Sequence, residues 1–290
     1  MSHNEHRFTQ LDVFTDCALL GNPLAVVHGA DGLSDARMAA FARWTNLSET
    51  SFLLAPTEPG ADYRVRIFTP TVELPFAGHP TLGSCHAWLA AGGQARAPAE
   101  VVQQCGVGLV RIRRDGTRLA FAAPLRRRSG PLIEALVERI ARFLQVPRAA
   151  IVAHQHCDNG PGWKAVMLAS ADAVLALRPQ LGSENGLEIG VVGPGKVGVV
   201  GAHGASTQAA FEVRAFFPAA GGGLAEDPVT GSLNAALAQW LIGDGLAPTH
   251  YVAAQGAALG RAGRVHVVQD GDDIWIGGDC AAVVQGTVLM

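Results

Sequence analysis

His79 and Asp227 suggest acid–base chemistry, because they occupy equivalent places in a segment that the chain contains twice. Residues 65–90 align with residues 213–238 at a constant offset of 148, and 11 of the 26 positions are identical. In each copy a strand-like stretch leads through a loop to a helix predicted to begin at Pro80 or Pro228, since proline favours the first helical position. An imidazole beside one helix and a carboxylate beside the other predict separate acid and base roles.

The two predicted helix starts also suit the binding of an anion. Small residues near each start, among them Gly78, Gly231 and Ser232, let a ligand approach the free backbone N–H groups. Those groups and the helix dipole favour a carboxylate or a phosphate. The alternative is a pair of ordinary helix caps, which would not require the spacing between the two prolines of each copy to recur. We expect the two helix starts to face one cleft.

Glu49 is a third candidate for proton transfer. It lies between Ser48 and Thr50, at the start of a predicted strand over Ser51–Leu54, among apolar neighbours. A carboxylate in such a place can take a proton from a substrate and return it. The alternative is a charged strand end on the protein surface.

The elements that must position these residues are many short strands and few helices. Alternating and apolar runs predict strands in both halves, and helices over Ser34–Trp44, after His79, from about Leu132 to Leu144, and over Pro228–Ile242. Mixed sheets around a few helices, in two copies, indicate an α+β fold. A chain of 290 residues is long for one core, which predicts two domains. The stretch 124–131 (PLRRRSGP) is predicted to link the first domain, residues 1–126, to the second, residues 127–280.

Composition excludes several classes of partner. The chain is 49 % hydrophobic and 16 % charged, with a net charge of −3, which gives no electrostatic case for nucleic acid or an anionic membrane. No secretory signal and no apolar run long enough to span a bilayer is visible. Five cysteines without a CxxC pair indicate reduced thiols. We therefore expect a soluble, cytoplasmic protein.

Two further patterns match ligand-binding motifs only superficially. Residues 193–198 (GPGKVG) satisfy the GxGxxG dinucleotide fingerprint, but the following residues predict a strand rather than the required helix, so we favour a glycine-rich hairpin. Residues 154–157 (HQHC) contain ligand types suited to zinc, yet no second cluster at finger-like spacing accompanies them. We predict no bound metal and no cofactor.

Four motifs taken together resemble the phenazine-biosynthesis isomerases, the PhzF-like family. They are GNPLAVV at 21–27, SETSF at 48–52, ELPFAGHPTLG at 73–83 and EDPVTGS at 226–232. The resemblance implies the diaminopimelate-epimerase-like fold: two pseudo-symmetric domains, each a curved mixed sheet around a central helix, with the site between them. It also implies that the last strand, 281–290, completes the first domain, and that the protein is a homodimer.

The resemblance assigns roles residue by residue. It implies Glu49 as the acid/base group, His79 and Asp227 as its catalytic partners, and Gly78, Gly231 and Ser232 as substrate-binding positions. The expected reaction is a cofactor-independent proton shift on a small anionic carboxylate such as trans-2,3-dihydro-3-hydroxyanthranilate. Two alternatives stay open: an epimerase or racemase of another small amino or hydroxy acid, and a non-catalytic small-molecule-binding protein. Diaminopimelate epimerases carry a cysteine at each helix start, and this chain does not, which disfavours inversion through two thiols.

Overall fold

The computed structural model describes residues 4–180, 196–204, 208–219 and 222–290. The chain divides into two compact units, Met1–Ala122 with Gly277–Met290, and Ala123–Ile276. The division predicted from the sequence falls four residues further along the chain at each crossing. Within the described residues, no helix is both long and apolar enough to cross a membrane.

The first unit contains two helices and a set of mostly antiparallel strands. The helices are α1 (Asp35–Thr45) and α2 (Gly78–Ala90). The strands are β1 (Glu5–Val13), β2 (Asn22–Val27), β3 (Thr50–Leu54), β4 (Tyr63–Phe68), β5 (Glu73–Leu74), β6 (Glu100–Cys105), β7 (Gly108–Asp115), β8 (Arg118–Ala122) and β17 (Cys280–Leu289). The last strand pairs antiparallel with β1, so the end of the chain belongs to this unit.

The second unit contains three α-helices and the remaining strands. The helices are α3 (Glu134–Leu144), α4 (Ala171–Leu175) and α5 (Gly231–Gly243). The strands are β9 (Ile151–Cys157), β10 (Trp163–Leu168), β11 (Val197–Ala202), β12 (Phe211–Pro218), β13 (Leu224–Asp227), β14 (His250–Gln255), β15 (Gly263–Asp270) and β16 (Asp273–Gly278), the last of which ends just past the boundary. This count covers the described ranges only.

The two units repeat one pattern of strand pairing. In the first, β1–β2 is antiparallel, β2–β3 parallel, β3–β4 and β4–β5 antiparallel, β4–β6 parallel and β6–β7 antiparallel. In the second, β9–β10 is antiparallel, β10–β11 parallel, β11–β12 and β12–β13 antiparallel, β12–β14 parallel and β14–β15 antiparallel. The repeat read from residues 65–90 therefore extends over the whole order of strands, and the α+β prediction is confirmed.

Each unit packs its sheet against one largely buried helix. Nine residues of α2 and nine of α5 are buried, and α2 contacts strands β1, β2, β3, β6, β8 and β17. The helices α1 and α3 each pack against an apolar cluster, whose buried members include Met38 and Phe52 in the first unit and Ile140 and Phe216 in the second. Removing apolar surface from water is the main force that holds each of these helices against its sheet.

Most strands predicted from periodicity are present within a few residues of the expected bounds, and Ser34 caps α1 by accepting from the Arg37 N–H at 3.3 Å. The sequence reading missed β5, β6, β13, β14 and the short α4. A strand expected over Leu187–Val192 and most of the hairpin expected over 193–198 lie outside the described residues. The HQHC stretch is part of β9.

The predicted helix starts are wrong in position. The helix α2 begins at Gly78, so that His79 is its second residue and Pro80 its third. Proline is tolerated there because the first N–H groups of a helix have no intrahelical acceptor. The helix α5 begins only at Gly231, after a turn that follows Pro228, and Asp227 is the last residue of β13. The N-cap positions are Ala77 and Thr230.

Candidate active site

Glu49 lies in the short connection between α1 and β3. The helix ends at the C-cap Asn46, which adopts a left-handed conformation with φ 53°, and β3 begins directly after the glutamate. The hydroxyl of Thr45, at the end of the helix, is 2.9 Å from the hydroxyl of Thr50, at the start of the strand. This contact ties the two ends of the connection together, and the Glu49 side chain is only 17 % exposed.

His79 is placed by the packing of α2 against the sheet. A Cβ on Gly83 would lie 2.5 Å from Leu24 Cδ2 and 2.9 Å from Val13 Cγ2, so a larger residue here would displace these two side chains of β1 and β2. A buried chain of hydrogen bonds, Tyr63 Oη to Gln103 Oε1 at 2.8 Å and Gln103 Nε2 to Thr81 Oγ1 at 3.1 Å, anchors the first turn.

The structure brings Glu49 and His79 together. The distance from His79 Nε2 to Glu49 Oε2 is 3.4 Å, and the His79 side chain is 7 % exposed. On the other side of the ring, Asn22 Nδ2 lies 3.4 Å from His79 Nδ1. An imidazole and a carboxylate at this separation can exchange a proton with each other or with a bound substrate. Asn22 belongs to the GNPLAVV motif, but no local pattern indicates that its side chain reaches His79.

In the second unit, Asp227 is held by the turn that precedes α5. The hydroxyl of Thr230 donates to Asp227 Oδ2 at 2.7 Å. The Gln255 side chain, 1 % exposed, accepts from the Thr230 N–H and from Asn234 Nδ2, and donates to the Asp227 carbonyl and to Thr230 Oγ1. One buried amide therefore fixes the backbone on both sides of the turn. Sequence reasoning did not single out Gln255, because it is 28 residues from Asp227.

Ser232 is the second residue of α5, and its hydroxyl has a defined acceptor role. The indole Nε1 of Trp163, on β10, donates to Ser232 Oγ at 3.0 Å, and Asn159 Nδ2 donates to the Ser232 carbonyl at 2.9 Å. Because the indole N–H can only donate, the hydroxyl proton of Ser232 points elsewhere and can be offered to a ligand.

The carboxylate of Glu226, the residue before Asp227, is paired with the side chain of Arg214. Its guanidinium donates to both oxygens of Glu226, at 2.8 and 2.7 Å, and also to the carbonyl of Leu177 at 2.8 Å. In the first unit, the aligned Arg66 holds Glu73 in the same bidentate way, at 2.7 and 2.6 Å. The arginines coincide in the repeat but the glutamates do not, which is why the alignment did not reveal the pairing.

Neither buried helix has a side-chain cap or an acidic residue in its first turn. The first helical residues, Gly78 and Gly231, are buried glycines. An uncapped N-terminus keeps its positive dipole end and its N–H groups for a partner. This geometry retains the predicted preference for an anion although the helix boundaries moved.

The thiols near α2 are unsuited to proton abstraction. Cys85 is fully buried, and burial raises the pKa of its thiol to about 12. Burial likewise raises the pKa of Cys280 well above its ordinary value. The thiol on the HQHC strand, Cys157, also has a pKa raised by burial to about 12, while His154 accepts from the Leu132 N–H at 3.1 Å.

A cavity of about 410 Å³ on the first unit is lined by Arg64, Arg66, Glu73 and Cys105, among others. It contains none of the residues predicted for the site. The structure thus groups Glu49 with His79 in one unit, and Asp227 with Ser232 through the same turn in the other. The expectation that both groups serve one cleft stays a prediction.

Comparison with known proteins gives the class of this fold. A crystal structure of a PhzF-family phenazine biosynthesis protein from Bacillus anthracis superposes with a TM-score of 0.82 at 21 % identity, covering 99 % of this chain and all of that one. A predicted epimerase from Pseudomonas aeruginosa superposes with a TM-score of 0.75 at 26 % identity, covering 98 % of this chain and 99 % of that one. The chain has the fold of these PhzF and epimerase proteins.

The family model described as phenazine biosynthesis-like protein matches residues 11–286, and the chain belongs to this family. A Schizosaccharomyces pombe relative named antisense-enhancing sequence 1 is 34 % identical, over 97 % of this chain and 98 % of its own length. A protein of Mesorhizobium japonicum, named as an uncharacterised isomerase, is 35 % identical over 96 % of this chain and 97 % of its own length. The trans-2,3-dihydro-3-hydroxyanthranilate isomerase of Pseudomonas aeruginosa is 53 % identical, but over only 27 % of this chain and 28 % of that protein. The chain is an isomerase by these relationships.

Proposed function

We propose that the protein is a cofactor-independent isomerase that moves a proton on a small unsaturated amino or hydroxy carboxylic acid. The observation that carries this proposal is the 3.4 Å contact between Glu49 and His79 in mostly buried surroundings. Glu49 removes a proton from a carbon that the neighbouring unsaturated carboxylate makes acidic, and returns it to another carbon of the same substrate. A single carboxylate that reverses its role needs no external oxidant or metal-bound base.

His79 assists this transfer from the side of Glu49. Its Nε2 faces Oε2 of the glutamate, so it can share a proton with the carboxyl group as that group changes between base and acid. The positive end of α2 lies at the same place, and it favours the carboxylate form of the glutamate before the proton is taken.

Asp227 and Ser232 hold the polar groups of the substrate in this proposal. The Ser232 hydroxyl, already accepting from Trp163, offers its proton to the substrate carboxylate together with the N–H groups at the start of α5. Asp227, whose Oδ2 accepts from Thr230, offers its remaining acceptor capacity to a substrate amine or hydroxyl. Gly78 and Gly231 allow close approach to both helix starts.

Partial similarity to trans-2,3-dihydro-3-hydroxyanthranilate isomerase makes that compound the first substrate to test. The assay follows each carbon-bound hydrogen by proton NMR in deuterated water, for this compound and then for a panel of small unsaturated acids. A 1,3-shift by one carboxylate moves the double bond and can retain the original hydrogen. Inversion at one carbon with incorporation of solvent deuterium would instead assign the protein as an epimerase or racemase.

Glu49→Gln tests the role of the carboxylate directly. Loss of general acid–base catalysis is expected to lower kcat by about 10² to 10⁴-fold. Glu138→Gln, on the exposed face of α3, is the matched control and should retain turnover. Wild-type turnover by the Glu49 variant would refute the mechanism, and absence of turnover or saturable binding for every acid tested would refute the proposed activity.

We further propose a cytoplasmic homodimer. All five cysteines are free thiols, which agrees with a reducing compartment; the homodimer rests on family resemblance. Light scattering on the purified protein tests the latter, and a monomer at micromolar concentration would refute it.

A further inference from the structure

Asn22 is a buried polar side chain at the start of β2. Its residue is 0 % exposed, and its backbone pairs with Val13 of β1. An amide enclosed in this way costs free energy unless it finds hydrogen-bond partners, so a buried asparagine requires a reason that an apolar residue would not.

The residue before it shows how tightly Asn22 is placed. A Cβ on Gly21 would lie 2.5 Å from the Val13 carbonyl oxygen, 2.6 Å from Thr15 Cγ2 and 2.9 Å from Asp12 Cβ. Only glycine allows β2 to begin this close to β1. From that fixed backbone position, the Asn22 amide reaches across 57 residues of sequence to the His79 ring.

The contact indicates which ring nitrogen of His79 carries the proton. Asn22 Nδ2 lies 3.4 Å from His79 Nδ1, and an amide nitrogen can only donate. Nδ1 must therefore present its lone pair to Asn22. In the neutral ring the proton then lies on Nε2, the nitrogen that faces Glu49 Oε2 at 3.4 Å.

We propose that Asn22 is a positioning residue that holds His79 in the Nε2–H tautomer, so that the imidazole donates to Glu49. This inference rests on the proposed function, because it gives His79 a defined direction of proton donation during the transfer. Without Asn22 the ring can place its proton on Nδ1, and the lone pair of Nε2 then faces the carboxylate. That arrangement opposes two acceptors and removes the assistance to Glu49.

The test uses two variants that change the group facing Nδ1 in different ways. Asn22→Asp replaces the donor by an acceptor of nearly the same shape, which draws a proton onto Nδ1. Asn22→Leu removes the donor and puts an apolar side chain of similar size in its place. The ring nitrogens of His79 are observed by NMR of protein labelled with ¹⁵N-histidine, with the His79 signals assigned by their loss in His79→Gln.

We expect Nε2–H in the wild type, a protonated Nδ1 in Asn22→Asp, and at least a 10-fold loss of kcat in both variants with a small change in KM. Thermal unfolding of each variant separates this effect from loss of structure. An unprotonated Nδ1 in folded Asn22→Asp, or kcat within twofold of wild type in either folded variant, overturns the proposal. If Asn22→Asp does not fold, kcat of the folded Asn22→Leu variant decides; if Asn22→Leu does not fold, Asn22→Asp decides by the ring nitrogen and by kcat.

The ring tautomer does not depend on turnover, so the two proposals fail separately. Full activity in Glu49→Gln would end the assignment of Glu49, whereas the state of the His79 ring would still report on Asn22. Conversely, an unchanged ring in Asn22→Asp would end the role of Asn22 and leave the Glu49 experiment untouched.

Discussion

Arg214 donates two parallel hydrogen bonds to Glu226, from Nε to Oε1 at 2.8 Å and from Nη2 to Oε2 at 2.7 Å. Both side chains are largely buried, at 6 % and 12 % exposed. The pair joins β12 to β13 immediately before Asp227, and so fixes the strand end from which that aspartate extends. The equivalent pair in the first unit, Arg66 and Glu73, is 24 % and 41 % exposed.

Glu226→Ala should therefore destabilise the second unit far more than Glu73→Ala destabilises the first. Removing one partner of a buried pair leaves an uncompensated charge and costs about 3–5 kcal/mol, whereas breaking a solvent-exposed pair costs about 0–1 kcal/mol. Urea unfolding of both variants measures the difference. Equal losses of unfolding free energy would contradict the distinction between the two pairs.

Gln255→Ala should lower both stability and activity. It removes four side-chain hydrogen bonds around the Asp227 turn, and a net contribution of about 1 kcal/mol for each predicts a loss of a few kcal/mol. The turn that holds Asp227 would also relax, so KM should rise or kcat fall.

Gln104→Ala is the matched control for Gln255→Ala. Gln104 makes four comparable bonds to Thr57 and Glu58 in the first unit, none of which involves a residue of the site. We expect similar destabilisation with turnover retained. An equal loss of turnover in both variants would show that Gln255 acts through general stability alone.

Trp163→Phe should raise KM by about 5- to 20-fold and change kcat little. The substitution removes the indole N–H that donates to Ser232 Oγ at 3.0 Å. Loss of this hydrogen bond costs about 1 kcal/mol or slightly more and leaves the Ser232 hydroxyl able to rotate. Trp240→Phe is the control, since that indole donates to Asp244 Oδ2 at the other end of α5. An unchanged KM in Trp163→Phe would exclude orientation of Ser232 by the indole.

Cys85→Ala should retain at least half of the wild-type turnover. With a pKa raised to about 12 by burial, only about one thiol in 10⁴ is ionised at pH 8, which is too few for a useful base. Alkylation with iodoacetamide at pH 8 should modify the exposed Cys17 and spare Cys85 in the folded protein. Rapid labelling of Cys85, or loss of activity on its replacement, would return thiol chemistry to consideration.

Much of the architecture followed from local pattern. Alternation of apolar residues located β4 and β8 at their bounds, the serine at position 34 located the start of α1, and the offset of 148 predicted that the halves share one plan. The strand signals are strong because each depends on residues within one element, where the period of 2 is present directly in the sequence.

Short or irregular strands were missed for the same reason. With two residues, β5 is too short to show a period, and β13 has two apolar residues followed by two acidic ones, so it does not alternate. Both exist because their neighbours, β4 and β12, supply backbone partners and an arginine that holds the facing glutamate. Tertiary pairing overrode weak local preference.

The sequence by itself determined the family resemblance, the duplicated plan and the residue types that could transfer a proton. Only the tertiary structure decided where the buried helices begin, and that Asn22, His79 and Glu49 lie in one line of contacts. The physical reason is distance along the chain. A helix start depends on local geometry that a remote side chain such as Gln255 can redefine, and a hydrogen bond between residues 57 positions apart exists only once the sheet has brought them together.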